Sequence, residues 1–212
     1  MLSNVSTADG SQSRRLPTLE RMTDPGRRPL NHGDGKEALL GATVRVVATK
    51  GMRGMTFRAV ADDAGVNNTL IAHHFGTRDR LLAAALEWSM ERSIGLANLG
   101  EYASDAEAFR SALIENVLSE PALQVFQFEM VLESSRRPDL QPAVRKLYQR
   151  YVSELAQGRS LLGMSSSEGL DRAMFAALDG LVLQYLSHAI SAEELAEAVD
   201  ALGAAVASGT RA

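Results

Sequence analysis

A helical pattern that continues almost without interruption from Lys36 onward is the feature that most limits how this chain can fold. Apolar residues recur every three or four positions, as in Leu40, Val44 and Val47, which is the spacing of one helix face. No stretch alternates apolar and polar residues over the length of a strand, and no turn sequence is flanked by β-branched runs. The sequence therefore predicts an all-α fold.

Glycines, prolines and capping residues divide this pattern into about nine helices. Glycines end three of them, because glycine readily takes the left-handed conformation that terminates a helix. Capping boxes of the form Ser-x-x-Glu predict three further helix starts, at Ser104, Ser165 and Ser191. The predicted helices span residues 36–50, 57–64, 68–75, 78–98, 105–119, 121–135, 141–161, 168–189 and 192–207.

Composition excludes several kinds of protein. The chain has no cysteine, which excludes disulfides and thiolate metal sites. Its histidines lie at spacings that do not match a metal site, and phosphate-loop and nucleophile motifs are absent, so we expect no metal, no cofactor and no catalytic site. No apolar run approaches the ~20 residues of a membrane span. Because the N-terminus also lacks the apolar stretch of a secretory signal, we expect a cytoplasmic protein without membrane contact.

Charge is distributed unevenly along the chain. The net charge of −4 is the sum of +4 over residues 1–82 and −8 over residues 83–212, a distribution expected when one end meets a polyanion. Residues 1–34 have no apolar periodicity and are rich in Ser, Pro, Gly and Arg, which predicts a disordered arm. That arm is either a solubilising tail or a segment that contacts phosphates. We expect a small helical domain at 35–82 and a larger one at 83–212.

The segment from Thr56 to Leu82 has the spacing of a helix-turn-helix. Two short helices joined by a glycine-containing turn can cross closely only where small residues let their backbones approach, and Ala61, Ala64 and Gly65 meet that condition. The residues left facing outward are Asn67, Asn68, Thr69, Ala72 and His73. Asparagine can pair with adenine, threonine can bond to either kind of base, and alanine can touch a thymine methyl group, so this face suits DNA. An ordinary helical hairpin with a polar solvent face is the alternative.

The stretch from Gly51 to Leu82 resembles the N-terminal domain of the TetR family of bacterial transcriptional regulators. The resemblance is carried by Thr56, Arg58, Val60, Ala61, Ala64, Gly65, Val66, Ile71, His73, Phe75, Arg78, Leu81 and Leu82. Within it, residues 70–76 are particularly similar to members allied to the betaine-responsive BetI regulators. The chain departs from many members at Thr69, where they have glycine, and at Ala72, where they have a phosphate-contacting tyrosine. The resemblance implies a dimeric repressor of about nine helices whose C-terminal core binds a small molecule.

The expected DNA contacts fall into two groups. Base edges should be read by Asn68, Thr69 and Ala72, with Asn67 facing outward beside them. Phosphates should be held by Thr56, Arg58, His73 and Arg78. We therefore expect double-stranded DNA, with a near-palindromic operator, as one partner.

The C-terminal helices carry most of the aromatic residues and several of the methionines, and we expect them to enclose a small apolar or amphipathic effector. The predicted ligand-binding residues are Phe109, Phe126, Met130, Tyr148, Tyr151, Met174, Leu178 and Asp179. Such residues are also typical of plain core. Asp179 lies in an apolar run, so it should either pair with an arginine, the preferred interpretation, or anchor a polar group of the ligand.

The last two predicted helices should form a homodimer. Leu195, Val199, Leu202 and Val206 make an apolar stripe with small neighbours, which favours four-helix packing with a second copy. The helix at 78–98 should connect the DNA-binding and effector sites. Two rival interpretations are an all-α ligand-binding or catalytic bundle without DNA binding, and a helical protein-interaction module.

Overall fold

The computed structural model describes residues 34–97, 106–164 and 167–209. These residues form nine α-helices and one short 3-10 helix, with no strand among them, so the predicted all-α fold is confirmed. The helices are α1 (Asp34–Gly54), α2 (Phe57–Ala64), α3 (Asn68–Phe75), α4 (Arg78–Ala97), α5 (Ala106–Ser119), α6 (Pro121–Ser134), the 3-10 helix (Pro138–Leu140), α7 (Gln141–Leu161), α8 (Glu168–Leu186) and α9 (Ala192–Gly209). The predicted arm lies outside the described residues except for Asp34, which begins α1.

Local capping explains most helix ends. Gly51 interrupts α1 with a φ of 67°, and one further turn reaches Gly54. The capping box at Ser191 is confirmed, because its amide donates to Glu194 at 2.7 Å and its hydroxyl accepts from the Glu194 amide at 3.1 Å. The box predicted at Ser165 begins outside the described residues; the N-cap of α8 is Ser167, which accepts a hydrogen bond from the Leu170 amide at 3.3 Å. The third box, at Ser104, begins outside the described residues.

One continuous core joins the N-terminal helices to the rest of the chain. It includes Leu39 of α1, Ile71 of α3, Leu82 of α4 and Phe126 of α6, all fully buried. The first helix packs against α2, α4 and α6, while α4 packs against α5, α6 and α7. The predicted domain boundary at residue 82 falls inside α4, so this helix belongs to both parts of the structure.

Three ion pairs fasten α4 to the elements that follow it. Asp79 pairs with Arg137 before the 3-10 helix, and Glu87 pairs with Lys146 of α7. Near the other end of α4, Arg92 donates from Nε to Glu120 at 2.8 Å. All six side chains are partly exposed, so each pair stabilises the fold only modestly and is weakened by salt.

The first half of the predicted dimer stripe of α9 faces inward, which corrects that part of the sequence-based expectation, while Leu202 and Val206 are half-buried. Leu195 and Val199 are buried within the same chain, against Val117 of α5 and Tyr185 of α8. Val206 packs beside another buried cluster, between α7 and α8. An amphipathic pattern shows only that a face is covered, and here the cover is the chain's own core.

A buried ion pair ties α7 to α8. Arg159 donates to Asp171, and the two side chains are 2% and 3% exposed. Removing one partner of such a pair leaves an uncompensated buried charge, which strongly destabilises a fold.

None of the helices in the described ranges is long and apolar enough to cross a membrane.

Candidate functional site

The turn between α2 and α3 is fixed by backbone hydrogen bonds. Gly65 takes a left-handed φ of 69°, and the Val66 amide donates to the Ala61 carbonyl at 3.0 Å. Ile71 and Phe75 of α3 are buried, which sets the rotation of α3 about its axis. The helix-turn-helix geometry follows from these local contacts.

The opposite face of α3 is open to solvent. All five residues expected there are exposed, namely Asn67, Asn68, Thr69, Ala72 and His73. The Oδ1 atom of Asn67 caps the helix, accepting bonds from the amide and the hydroxyl of Thr69 at 3.0 Å each. Its amide group therefore keeps its donors for an outside partner.

The residues predicted to hold phosphates differ in their surroundings. Thr56 caps α2 by accepting from the Ala59 amide at 3.1 Å, and its side chain is exposed. Arg58 is 89% exposed and lies 3.9 Å from Asp62. Arg78 instead turns inward, with Nε donating to Met55 Sδ at 3.3 Å and Nη2 donating to the Met52 carbonyl. In this conformation, these donors of Arg78 brace the start of α4.

Two basic residues that sequence reasoning missed lie beside the exposed face of α3. Lys36 of α1 and Arg80 of α4 line an open cleft of about 370 Å³ together with His73 and His74. Arg80 is exposed, whereas Arg78, two positions before it, is half-buried. The signal in the sequence was the arginine pair in the first turn of α4, and only packing shows which member faces outward.

A cavity of about 110 Å³ lies within the larger helical body. Six helices contribute to its wall, which is mostly aliphatic, through Ser93, Ile94, Ile114, Val117, Gln124, Tyr151, Glu154, Leu155, Phe175, Leu178, Asp179, Val182, Leu195 and Val199. No group of three acidic, histidine or cysteine side chains in the described part of the chain could hold a metal ion.

Three of the predicted ligand-binding residues line this cavity: Tyr151, Leu178 and Asp179. Phe126 and Met130 do not, because the face of α6 that carries them is fully buried in the core shared with α1 and α4.

The remaining predicted ligand-binding residues are not among the wall residues either. Met174 packs against Leu155 in a buried cluster that borders the cavity. Tyr148 lies beside Asp179, to which it is hydrogen-bonded. The side chain of Phe109 lies outside those that the structure describes.

Asp179 is bonded to a tyrosine rather than to the arginine that the sequence suggested. The Tyr148 hydroxyl donates to its carboxylate at 3.1 Å. Burial raises the pKa of Asp179 above its ordinary value of 3.8, and the bond from Tyr148 only partly opposes that shift. Burial, with the nearby Asp179 charge, raises the pKa of Tyr148 to about 12, so Tyr148 is a neutral donor at physiological pH.

A buried polar chain connects the cavity wall to α4. The Tyr151 hydroxyl donates to Gln127 Oε1 at 3.0 Å. Gln127 Nε2 donates to the hydroxyl of Ser89 at 3.2 Å and to that of Ser93 at 3.5 Å. Tyr151 also stacks on Phe175, with ring centroids 5.3 Å apart. Sequence reasoning missed Gln127, although a glutamine in the apolar run of α6 was a visible signal.

Comparison with known protein families identifies the family of this chain. The family described as bacterial regulatory proteins, tetR family, matches residues 39–85, and the tetracyclin repressor-like C-terminal domain matches residues 103–208. The chain belongs to the TetR family. It is therefore a DNA-binding transcriptional regulator rather than an enzyme.

Individual relatives are similar to this chain over most of their length. The regulator AqdR of Rhodococcus erythropolis is 26% identical over 174 residues, covering 79% of this chain and 83% of that protein. The nicotine-responsive repressor HdnoR of Paenarthrobacter nicotinovorans is 23% identical, covering 73% and 84%. The solved structure of the multidrug binding protein EbrR with imidazole is 27% identical, covers 84% and 96%, and has a TM-score of 0.60.

Proposed function

We propose that this TetR-family chain is a repressor that binds a near-palindromic operator as a homodimer and is released by a small apolar or amphipathic effector. The observation that carries the proposal is the course of α4. This helix begins beside α3, and Ser93 and Ile94 near its other end form part of the cavity wall. A ligand that changes the cavity can therefore tilt α4 and alter the position of α3.

The proposed DNA contacts keep most of the sequence-based assignment. Asn68, Thr69 and Ala72 read bases, because they are exposed on a helix face without charged side chains. Phosphates are held by Thr56, Arg58 and His73, with Asn67 offering its amide donors beside the bases. Lys36 and Arg80 are added to the residues that hold phosphates. Arg78 braces α4, and it reaches a phosphate only if its guanidinium rotates outward.

The proposed dimer uses α8 and α9, but through a stripe other than the one first expected. The outer face of α8 presents small or apolar residues at alternating spacings of four and three, namely the exposed Gly169, Ala173, Ala176 and Leu183 and the half-buried Gly180. A Cβ added at Gly180 would meet nothing within 4 Å, so a second copy can approach closely there. A two-fold axis then places two copies of α3 in major grooves ~34 Å apart.

The names of two relatives support a small organic effector. HdnoR responds to nicotine, and EbrR was solved with imidazole. The similarity of residues 70–76 to BetI-allied members supports placing the chain near that subgroup. We also place the protein in the cytoplasm, where its operator would be.

The test begins with selection of DNA from a random duplex library by the purified protein. We expect enrichment of a two-fold symmetric sequence, whereas a ligand-binding bundle without DNA function would enrich none. On the selected duplex, Asn68→Ala should change base preference and weaken binding by about 1–3 kcal/mol. Arg80→Ala should weaken all sequences alike and reduce the salt slope by about one. Equal and uniform losses from both variants would contradict the assignment.

A further inference from the structure

The charge of the cavity wall is one-sided. Its acidic residues are Glu154 and Asp179, and no lysine, arginine or histidine is among the described residues that form the wall. Glu154 is compensated from the surface, because Arg150 lies 2.9 Å from its carboxylate. Among the described side chains, only the neutral Tyr148 hydroxyl lies within hydrogen-bonding distance of Asp179. The cavity therefore holds a carboxylate whose charge is balanced by no basic side chain among the described wall residues.

Aromatic rings stand beside this carboxylate. Tyr151 and Phe175, both in the wall, stack with an interplanar angle of 15°. Tyr148 meets Phe175 edge to face, with ring centroids 5.9 Å apart. The faces of aromatic rings attract cations, and the attraction is larger where water is excluded. Carboxylate and rings thus favour the same sign of charge in a bound molecule.

The size of the cavity limits what can enter it. Its volume is about 110 Å³, slightly below the ~150 Å³ of a protein cavity that accommodates benzene. The aliphatic side chains around it, such as Ile94, Leu178 and Val199, offer no hydrogen bonds to a polar ligand body. A ligand of one ring, or of one branched apolar group, fits these limits.

We propose that the effector is a compact organic cation, an amine or a quaternary ammonium compound, whose charge lies against Asp179 and whose apolar part lies among the rings and aliphatic side chains. This inference rests on the proposed function of the cavity and names the chemical class of its ligand. A half-buried carboxylate without a basic partner costs free energy in the empty protein, because it has lost part of its hydration. A cation removes that cost, which gives the site its preference for positive charge.

The test uses two probes of nearly equal shape, choline and its uncharged isostere 3,3-dimethylbutan-1-ol. Titration calorimetry on the full chain should give an affinity for choline at least about tenfold higher than for the alcohol. Equal affinities, tighter binding of the alcohol, or no binding of choline at millimolar concentration would overturn the proposal. Operator binding, measured separately by fluorescence anisotropy, distinguishes this failure from failure of the repressor function.

Two variants test whether Asp179 causes the preference for choline over the alcohol. Asp179→Asn keeps an acceptor for Tyr148 and should lower choline affinity about tenfold while leaving that of the alcohol unchanged. Glu168→Gln on the same helix is the matched control, because Glu168 is 86% exposed and is not a residue of the cavity wall. This variant should leave both affinities unchanged. A choline preference that survives Asp179→Asn in a folded variant would contradict the role of Asp179.

Discussion

The DNA-binding surface and the cavity are built by contacts of different range. The orientation of α3 depends on contacts that span a few residues, such as the Asn67 cap and the Val66 to Ala61 bond. The cavity depends on side chains brought together from six helices, including the link from Tyr151 to Gln127, 24 residues apart in sequence. A locally fixed surface moves as a unit, whereas a wall assembled from separate helices can shift when it is filled. A change in the cavity wall should therefore displace α3 as a rigid unit rather than distort its exposed face.

The largest expected effect concerns the contacts between distant helices that form the cavity. Asp171→Ala removes one partner of the buried pair between α7 and α8, which should lower the free energy of unfolding by about 3–5 kcal/mol. Urea unfolding followed by circular dichroism measures it. Arg172→Ala is the control, because it removes an exposed pair with Glu168 and should cost less than about 1 kcal/mol. Similar losses in both variants would show that the buried pair does not hold the cavity helices.

The second effect concerns the outer face of α8. Leu183→Glu puts a charge into the proposed dimer interface and should weaken the dimer about a hundredfold, since burying an unpaired charge costs several kcal/mol. Sedimentation velocity measures the monomer fraction. Leu132→Glu on α6, where Leu132 is 63% exposed, should leave the dimer intact. A dimer unaffected by Leu183→Glu would place the interface elsewhere.

A smaller effect tests the link between the two regions. Tyr151→Phe keeps the ring that stacks on Phe175 but removes the hydroxyl that donates to Gln127. Operator affinity without ligand should stay the same, while the effect of ligand on it should fall by about 0.5–2 kcal/mol. Ser89→Ala, at the other end of the chain of hydrogen bonds, should act in the same direction.

Ser134→Ala is the control for these two variants, because the buried Ser134 hydroxyl donates to the Val131 carbonyl of its own helix at 2.7 Å. Fluorescence anisotropy with and without choline measures all three. If choline lowered the operator affinity of Tyr151→Phe as much as that of the unmodified protein, the hydrogen bonds from Tyr151 to α4 would not transmit the effect of the ligand.

The smallest effect is a pH dependence. The folded-state pKa of Asp179 is raised by burial, so the native protein binds its proton more tightly than the unfolded chain. Stability should therefore fall as the pH rises from the ordinary value of 3.8 through the raised pKa. Tyr148 and Tyr151 face this carboxyl group, and Glu154 lines the same cavity. Asp179→Asn should lose this component and unfold at a higher temperature near neutral pH; a lower melting temperature there would contradict it.

The helices and the exposed face of α3 could be predicted because their signals are local. Caps and glycines act within four residues, and the apolar spacing of α3 determines which face is buried. Arg78 could not be placed in this way, since it donates to Met52, 26 positions earlier. Nothing in the sequence near Arg78 distinguishes it from the exposed Arg80.

The cavity wall was harder to predict because it depends on how each helix is rotated. On α6, Gln124 faces the cavity while Phe126 and Met130 face the core. Amphipathic spacing is the same whether a face meets its own chain, a second copy or a ligand. For this reason the sequence predicts a dimer stripe of Leu195, Val199, Leu202 and Val206, although Leu195 and Val199 line the cavity and pack within the chain.

The most direct test of the account is whether the cavity and the operator influence each other. Choline affinity should be measured by calorimetry for the free dimer and for the dimer saturated with selected operator. We expect operator to lower choline affinity about 5- to 150-fold and choline to lower operator affinity by the same factor, because linkage between two sites is reciprocal. Equal choline affinity in the two states would contradict coupling through α4.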